Sequence, residues 1–244
     1  DTVLISAMLV NNEMGAVEPV DEIAALIKSI NPQIIFHVDA IQAYGKYRIY
    51  PKKSGIDLLS VSGHKLHAPK GVGFLYVNEK IKIKPVVFGG GQQRGLRSGT
   101  LNIPGIAGMG KAASEAYENF DNKVKKVAEI KDHIISGLEN TEGVSINSQR
   151  GLLSAPHVLS VTVKGIRGEV LLHALEAEGI YVASGSACSS NHPGISGTLK
   201  GIGLTDEAAA PTIRLSFSEY NTMHEADYFL ERLNEMLPVL RRFK

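Results

Sequence analysis

Short apolar runs alternate with helix-like segments along most of this chain of 244 residues. Residues 3–10 form an almost continuously apolar run, which is typical of a buried strand in a parallel sheet. A helix is expected from Pro19 and Asp21 to about Ile30, where Asn31 and Pro32 end it. Further strands are predicted at 34–38 and 57–61, and a return hairpin or edge strand at 71–77. This alternation predicts an α/β fold with a mostly parallel sheet.

The second half of the chain has a different pattern. A polar, glycine-rich loop at 89–100 precedes one long helical region at about 104–138, whose later part carries an apolar stripe. Beyond it, the pattern predicts strands near 158–163, 180–182 and 212–217 and helices near 168–178 and 222–240. Thr222 and Glu225 form a plausible capping box for the last helix. We therefore predict a domain of residues 1–115 and a smaller α+β domain of residues 116–244.

Composition narrows the class of protein. Apolar residues make up 43% of the chain and charged residues 21%, as in soluble globular proteins. The net charge of +1 gives no indication of a nucleic-acid or membrane partner, and no apolar run is long enough to span a bilayer. The single cysteine, Cys188, excludes an internal disulfide and fits a reducing, cytoplasmic compartment. The chain starts at Asp1, directly before a strand, so we expect it to be a fragment, a processed form or an incomplete sequence.

Two polar residues follow predicted strands and suggest covalent chemistry. Lys65 lies in Ser62-Gly63-His64-Lys65, just past the strand at 57–61, and Asp39 ends the strand before it. Ligands of open α/β sheets bind at the carboxyl ends of strands. A desolvated lysine amine there can form a Schiff base, and an aspartate suits the pyridinium nitrogen of pyridoxal phosphate. The alternatives are a solvated loop lysine and an aspartate that caps the next helix.

Neighbouring residues extend this hypothesis. Gln42 follows Asp39 by three positions, so that the pair could contact the ring nitrogen and the ring hydroxyl of a pyridoxal. Asn12 closes the first strand, where asparagine usually makes turns but could also bond the ring oxygen. The 89–100 loop has Walker-like glycine spacing, but Leu96 stands where a nucleotide site needs lysine. Its backbone amides and Thr100 could still contact a phosphate, the alternative being a flexible surface loop.

The last candidates lie near the carboxyl end of the chain. Cys188 is flanked by Ser, Gly, Asn and Pro, which favours an exposed, mobile loop and a nucleophilic thiol over the usual small buried side chain. Arg214 alternates within a predicted strand, where it either forms a structural pair or binds a substrate carboxylate bidentately. His64 and His67 lie in a Pro/Gly-rich loop, and no histidines have the spacing of a metal site, so we expect no metal.

These motifs, in this order, resemble the pyridoxal-phosphate-dependent cysteine desulfurases of the class V aminotransferase superfamily. The resemblance covers almost the whole chain and rests on six motifs at Asn11–Glu13, His37–Gln42, Ser62–Lys65, Arg94–Thr100, Ser184–Ser189 and Ile213–Ser216. It implies a fold-type I transferase with an incomplete large domain and a small carboxy-terminal domain, which acts as a homodimer. It also implies that L-cysteine is converted to L-alanine, with sulfur passed to acceptors such as an iron–sulfur scaffold.

The resemblance assigns roles residue by residue. Lys65 would be the Schiff-base lysine and Asp39 would keep the pyridine nitrogen protonated, while Gln42 and Asn12 would contact the ring oxygen side. Ser62 and His64 would bind the phosphate, and Thr100 would reach the phosphate held by the partner subunit. Arg214 would hold the substrate carboxylate, with Asn12 beside it. Cys188 would take the sulfur as a persulfide.

The chain departs from the family pattern in three ways. The upstream part, with its phosphate-binding turn and ring-stacking histidine, is absent. Gln93 stands where the family commonly has glutamate, and the cysteine loop is slightly short for its subgroup. Three alternatives remain: a selenocysteine lyase, an aminotransferase, or a truncated chain that folds or dimerises without catalysis.

Overall fold

The computed structural model describes residues 1–184 and 196–242. By their contacts they fall into two compact units. The first unit contains Asp1–Val10 and Glu18–Phe120, and the second contains Asn11–Val17 and Asp121–Lys244. The domain boundary that we expect near residue 115 stays a prediction. The α/β fold is confirmed, since a sheet with parallel strands is covered by helices.

The described part of the first unit holds a four-stranded sheet in the order β1-β2-β3-β4. Its strands are β1 (Leu4–Met8), β2 (Ile35–Asp39), β3 (Leu58–Ser62) and β4 (Gly73–Val77). The first three are parallel, and β4 returns antiparallel to β3 at the edge of the sheet. This confirms the hairpin predicted from the glycine-led 71–77 segment.

One face of this sheet packs against helix α1 (Val20–Ile30). The helix buries Val20, Ala24 and Ile27, and the sheet buries the alternate positions of β2 and β3, namely Phe36, Val38, Leu59 and Val61. An ion pair ties the helix to the sheet, because Lys28 Nζ lies 2.6 Å from Asp57 Oδ2, which also accepts from Phe36 N at 2.9 Å. The period-two burial fixes which face of each strand carries the polar residues.

The expectation of a buried first strand is wrong. β1 is an edge strand, and its alternate residues Leu4 and Met8 are 53% and 40% exposed. An apolar run predicts a strand but not what covers it, and the face of β1 that carries these side chains is open in the described chain.

Two helices replace the single helical region predicted at 104–138. They are α2 (Ile103–Tyr117) and α3 (Phe120–Leu138). The chain breaks because Glu118 is extended, with ψ at 128°, and Asn119 is left-handed, with φ at 50°. Asparagine tolerates that conformation better than most residues do, so the break needs no glycine or proline.

The second unit contains an antiparallel sheet in the order β5-β6-β8-β7 among its described residues. Its strands are β5 (Val144–Ile146), β6 (Val158–Val163), β7 (Ala183–Ser184) and β8 (Thr212–Ser216). The strand expected at 180–182 is displaced to β7, since Gly179 is left-handed and Tyr181 is 81% exposed before pairing with β8 begins.

Helices α3, α4 (Gly168–Ala177) and α7 (Met223–Leu240) contribute the core of this unit together with the sheet. Its buried centre includes Ile134, Leu138, Leu159, Leu171, Ile213 and Leu233. The capping box at Thr222 and Glu225 is confirmed, with both of its hydrogen bonds present. The short helices α5 (Gly197–Gly201) and α6 (Asp206–Ala209) were not predicted. Among the described residues, no helix combines the length and the apolar character that crossing a membrane requires.

Candidate active site

The carboxyl ends of β2 and β3 place Asp39 and Ser62 on one face of the first unit's sheet. Asp39 is the last residue of β2 and is paired in register with Ser60 of β3, and Ser62 lies two residues further along β3. Neighbouring strands lie about 5 Å apart, and side chains two residues apart share a face. The carboxylate and the hydroxyl therefore lie on the same face, at the edge where open sheets bind ligands.

The carboxylate of Asp39 is half-buried and only partly engaged. Its Oδ1 accepts a hydrogen bond from Ile41 N at 2.8 Å, which fixes the turn that follows the strand. No other donor contacts the carboxylate within the described part of the chain. Gln42, in the same turn, is half-buried and makes no side-chain hydrogen bond among those residues. A carboxylate oxygen and an amide are thus available beside each other.

Lys65 lies on a tight turn of 3-10 helix, Gly63–Leu66, directly after β3. Gly63 N donates to Val72 O at 2.8 Å, and a Cβ at Gly63 would lie 3.0 Å from both Val72 O and Ala68 Cβ. Because glycine has no side chain, the turn can pack this closely against Ala68 and Val72 of the segment that follows it. Leu66 is buried and anchors the turn, and Lys46 Nζ holds the Lys65 carbonyl at 2.7 Å.

The side chains of His64 and Lys65 both point outward from this turn and are exposed. The Lys65 amine has no hydrogen-bond partner among the described residues. The buried residues of the turn are Gly63 and Leu66. The role of Lys65 as a desolvated Schiff-base amine stays a prediction.

A chain of hydrogen bonds across the three parallel strands was missed by sequence reasoning. Ser6 Oγ and Ser60 Oγ each lie 2.7 Å from a ring nitrogen of His37, Nδ1 and Nε2 respectively. His37 is two residues before Asp39 and so lies on the same face of the sheet. The signal was the period-two alternation of polar residues along β2 and β3. The network links β1, β2 and β3 just below the candidate site.

The glycine-rich loop is held by its own hydrogen bonds. Ser98 is buried, and its Oγ donates to Gly90 O at 2.7 Å. Gln93 and Arg94 are both left-handed, with φ at 50° and 58°, which is uncommon for residues other than glycine. Thr100 is exposed at the end of the loop. Arg94 belongs to the Arg94–Thr100 motif and Gln93 directly precedes it, and strained backbone often occurs near functional sites.

The second unit brings Asn12 and Arg214 together. Arg214, on β8, donates from Nη1 to the carbonyl oxygen of Asn12 at 3.0 Å. Its Nε is buried and has no partner among the described residues. Asn11 makes the turn expected of it, since its Oδ1 accepts from Glu13 N and Met14 N, both at 2.9 Å. The arginine keeps donor groups available for a planar anion such as a carboxylate.

Glu13 was not singled out from the sequence, yet it is bonded on both carboxylate oxygens. Its Oε2 accepts from Ser196 Oγ and its Oε1 accepts from Thr198 Oγ1 at 3.3 Å. Ser196 is buried and caps α5 by accepting from Leu199 N at 3.2 Å. Sequence alone offers no signal for these contacts, because the partners are far apart in the chain.

A buried amine supports the segment that carries Asn12 and Glu13. Lys131 is only 3% exposed, and its Nζ donates to Ser154 Oγ at 2.6 Å and to Ala155 O at 2.8 Å. Ala155 N in turn donates to Gly15 O at 2.7 Å. Burial without a bonded carboxylate lowers the pKa of Lys131 from 10.5 to about 8.

Cys188 lies outside the described residues, so the structure neither places its thiol nor tests the predicted mobile loop. The described residues on either side are Ser184, at the end of β7, and Ser196. Within residues 1–184 and 196–242, no three His, Cys, Asp or Glu side chains come close enough to hold a metal ion. The role of each candidate site residue stays a prediction.

The chain is similar in sequence and in structure to known proteins. A model of the family described as aminotransferase class-V matches residues 1–229. The chain is 41% identical over 239 residues to cysteine desulfurase IscS of Clostridium botulinum, covering 97% of this chain and 60% of that protein. It is also 41% identical over 241 residues to cysteine desulfurase IscS of Methanosarcina thermophila, covering 99% and 59%. The solved structure of a NifS-like protein superposes with a TM-score of 0.89 at 38% identity, covering 98% and 62%. The chain thus spans about 60% of the length of the curated relatives it matches.

Proposed function

Because this chain belongs to the aminotransferase class-V family, we propose that the protein that carries it is a pyridoxal-phosphate-dependent cysteine desulfurase. It converts L-cysteine to L-alanine and captures the sulfur on Cys188. The observation that carries the proposal is the placement of Asp39, Ser62 and Lys65 at the carboxyl ends of adjacent strands. It occurs in a chain that is 41% identical to proteins named cysteine desulfurase.

The residues of the first unit fit the cofactor on which this family depends. They offer an amine, a partly engaged carboxylate, an amide, a hydroxyl and an imidazole, and their side chains make few bonds to one another within the described chain. Lys65 Nζ would hold the aldehyde carbon, and Asp39 would keep a proton on the ring nitrogen. Gln42 would bond the ring oxygen, and Ser62 and His64 the phosphate. When bound, pyridoxal phosphate supplies an electron sink for negative charge at the substrate carbons.

Arg214 and Asn12 are proposed to select the substrate. The Arg214 guanidinium keeps unused donors, and bidentate hydrogen bonding to a carboxylate orients an amino acid as well as binding it. Asn12 accepts from the arginine through its carbonyl, and its own amide would contact the substrate or the ring oxygen. Lys65 Nζ is the base proposed to move the Cα proton.

The sulfur transfer balances without an outside oxidant or reductant. The carbon–sulfur bond of cysteine breaks, and the electron pair stays on Cβ, which takes up a proton to give alanine. A sulfur–sulfur bond forms at Cys188 Sγ, so that its thiol becomes a persulfide. The persulfide then carries the sulfur to an acceptor, which we propose to be an iron–sulfur scaffold protein.

Thr100 and its surroundings support a homodimer in which each subunit completes the other's phosphate site. Thr100 is exposed, as a residue that reaches a partner has to be. Large apolar side chains are exposed on both sides of it in sequence, including Val87, Phe88, Ile103 and Ile106. Such surface usually marks an interface. The lone cysteine supports a reducing compartment, which we propose to be the cytoplasm.

Replacing Cys188 by serine separates this proposal from its alternatives. The full-length Cys188→Ser protein should bind cofactor and show a spectral change with cysteine, because neither needs the thiol, yet it should transfer no sulfur. If the variant releases sulfur from cysteine at the parent rate, a lyase that eliminates sulfur directly, such as a selenocysteine lyase, is the better account. If the parent instead exchanges amino groups with keto acids, the protein is an aminotransferase. If the full-length parent shows neither activity, the chain belongs to a non-catalytic protein.

A further inference from the structure

Glu13 binds Ser196, the first described residue after residues 185–195. Its carboxylate accepts hydrogen bonds from the hydroxyl groups of Ser196 and Thr198. Ser196 Oγ also accepts from Leu199 N and so caps α5. One hydroxyl therefore donates to Glu13 and accepts from the helix, which fixes Ser196 from two sides.

Glu13 also lies near Arg214. Glu13 and Arg214 line one cavity of about 10 Å³ together with Ser160 and Thr212. A space of that size holds at most about one water molecule, so Glu13 and Arg214 lie close to each other. The backbone reinforces this link, because Arg214 Nη1 donates to the carbonyl of Asn12, the residue before Glu13.

Arg214 is also next to the other end of the 185–195 segment. In the sheet, Arg214 of β8 pairs in register with Ala183 of β7, and β7 ends at Ser184. The two described residues that flank Cys188 in the sequence, Ser184 and Ser196, are thus both tied to the Asn12, Glu13 and Arg214 cluster. The first is tied through the sheet and the second through the Glu13 carboxylate.

We propose that Glu13 is a positioning residue for sulfur transfer. By holding Ser196 near the strand of Arg214, it sets where the segment with Cys188 ends relative to the arginine that is proposed to bind the substrate carboxylate, while the pairing of β7 with β8 sets where the segment starts. The inference rests on the proposed desulfurase function. Displacement of about 1 Å can cost on the order of a hundredfold in rate, so one misplaced anchor has a measurable effect.

Kinetics of the full-length, cofactor-loaded protein test this role. In Glu13→Gln, the charge and one of the two acceptor oxygens are lost while the shape is kept. We expect the single-turnover rate of persulfide formation on Cys188 to fall about tenfold or more, because one anchor is released. The KM for cysteine should change less than about twofold, because Arg214 keeps its bond to Asn12. Glu207→Gln, the same change at an exposed residue of α6, is the matched control and should match the parent.

A double-mutant cycle identifies the partner. Ser196→Ala removes the helix cap as well as the bond to Glu13, so its own effect is mixed. If the two residues act together, the effects of Glu13→Gln and Ser196→Ala on the rate will be clearly less than multiplicative in the double variant. Multiplicative effects, an unchanged rate in Glu13→Gln, or an equal loss in cofactor content would overturn the proposal.

A readout independent of activity separates this inference from the proposed function. Hydrogen exchange of the Leu199 amide should accelerate in Glu13→Gln, because that amide is held by Ser196 Oγ. If the parent forms no persulfide but the exchange rate rises, the Glu13–Ser196 anchor stands and the desulfurase function and its positioning role fail. If the parent is active and exchange is unchanged, the anchor itself is refuted.

Discussion

The buried amine of Lys131 predicts a pH dependence of stability that can be measured directly. Its Nζ is enclosed by the second unit and bonded to Ser154 Oγ and Ala155 O, with no carboxylate among those partners. Burial disfavours the charged ammonium and lowers its pKa to about 8, against an ordinary value of 10.5. Replacing Lys131 by methionine removes the titrating group and keeps a chain of similar length.

The sign follows from counting protons in the two states. Between pH about 8 and 10.5 the unfolded chain holds a proton on Lys131 that the folded protein has lost, so stability rises with pH in that window. The whole shift of about 2.5 pH units corresponds to about 3 kcal/mol, present in full above pH 10.5 and lost as the pH falls through about 8. By about pH 9.5 the gain is about 2 kcal/mol.

Urea unfolding of the full-length protein at several pH values between about 7.5 and 9.5 measures this effect. Relative to Lys131→Met, the parent should gain about 2 kcal/mol of stability over that range. At the lower pH the variant loses two hydrogen bonds, which destabilises it, but also loses a desolvated charge, which stabilises it. The informative quantity is therefore the change of the stability difference with pH and not its value at one pH. Lys125→Met is the matched control, since Lys125 is exposed on the same helix. A parent and a Lys131→Met variant whose stability difference is the same at every pH would refute the reasoning.

Three further predictions concern the cofactor site of the full-length protein. Borohydride reduction followed by peptide mapping should leave the pyridoxyl group on Lys65, because its turn directly follows β3 and its amine makes no hydrogen bond among the described residues, and a label on Lys70 would exclude this assignment. Asp39→Asn should keep the fold and the cofactor but lower turnover on the order of a hundredfold, because an amide no longer stabilises the protonated ring nitrogen; unchanged steady-state kinetics would rule the role out. Sedimentation should show a homodimer. In titrations, Thr100→Ala should weaken cofactor binding while the protein stays dimeric. An active monomer would contradict the shared site.

The strands and helix α1 of the first unit follow from the sequence because their apolar periods are strong. Asp39 and Ser62 fall at strand ends for the same reason, and the order of strands then places them at the ends of adjacent strands. The exposure of Leu4 and Met8 could not be predicted from the sequence, because an apolar run predicts a strand and not the neighbours that cover it. The break at Asn119 depends on one left-handed residue, and the spacing of apolar residues along a helix does not reveal such a residue.

Contacts between distant residues limit sequence reasoning more than secondary structure does. Glu13 and Ser196 are separated by 183 positions, and neither belongs to a motif that signals a pair. The burial of Lys131 is equally hard to predict, since a lysine beside an apolar stripe can have either a buried amine or one that reaches solvent. The Ser6–His37–Ser60 network could have been predicted from the sequence, because period-two polar positions on adjacent parallel strands share a face.

The central claim is that Cys188 takes sulfur from cysteine. The most direct test is a single turnover of the full-length, cofactor-loaded protein with one equivalent of cysteine, followed by amino-acid analysis and mass spectrometry of the peptide that contains Cys188. The account predicts that alanine appears together with an equal amount of peptide heavier by one sulfur atom, and that neither forms in Cys188→Ser. Alanine formed with free sulfide and an unmodified Cys188 peptide would contradict it.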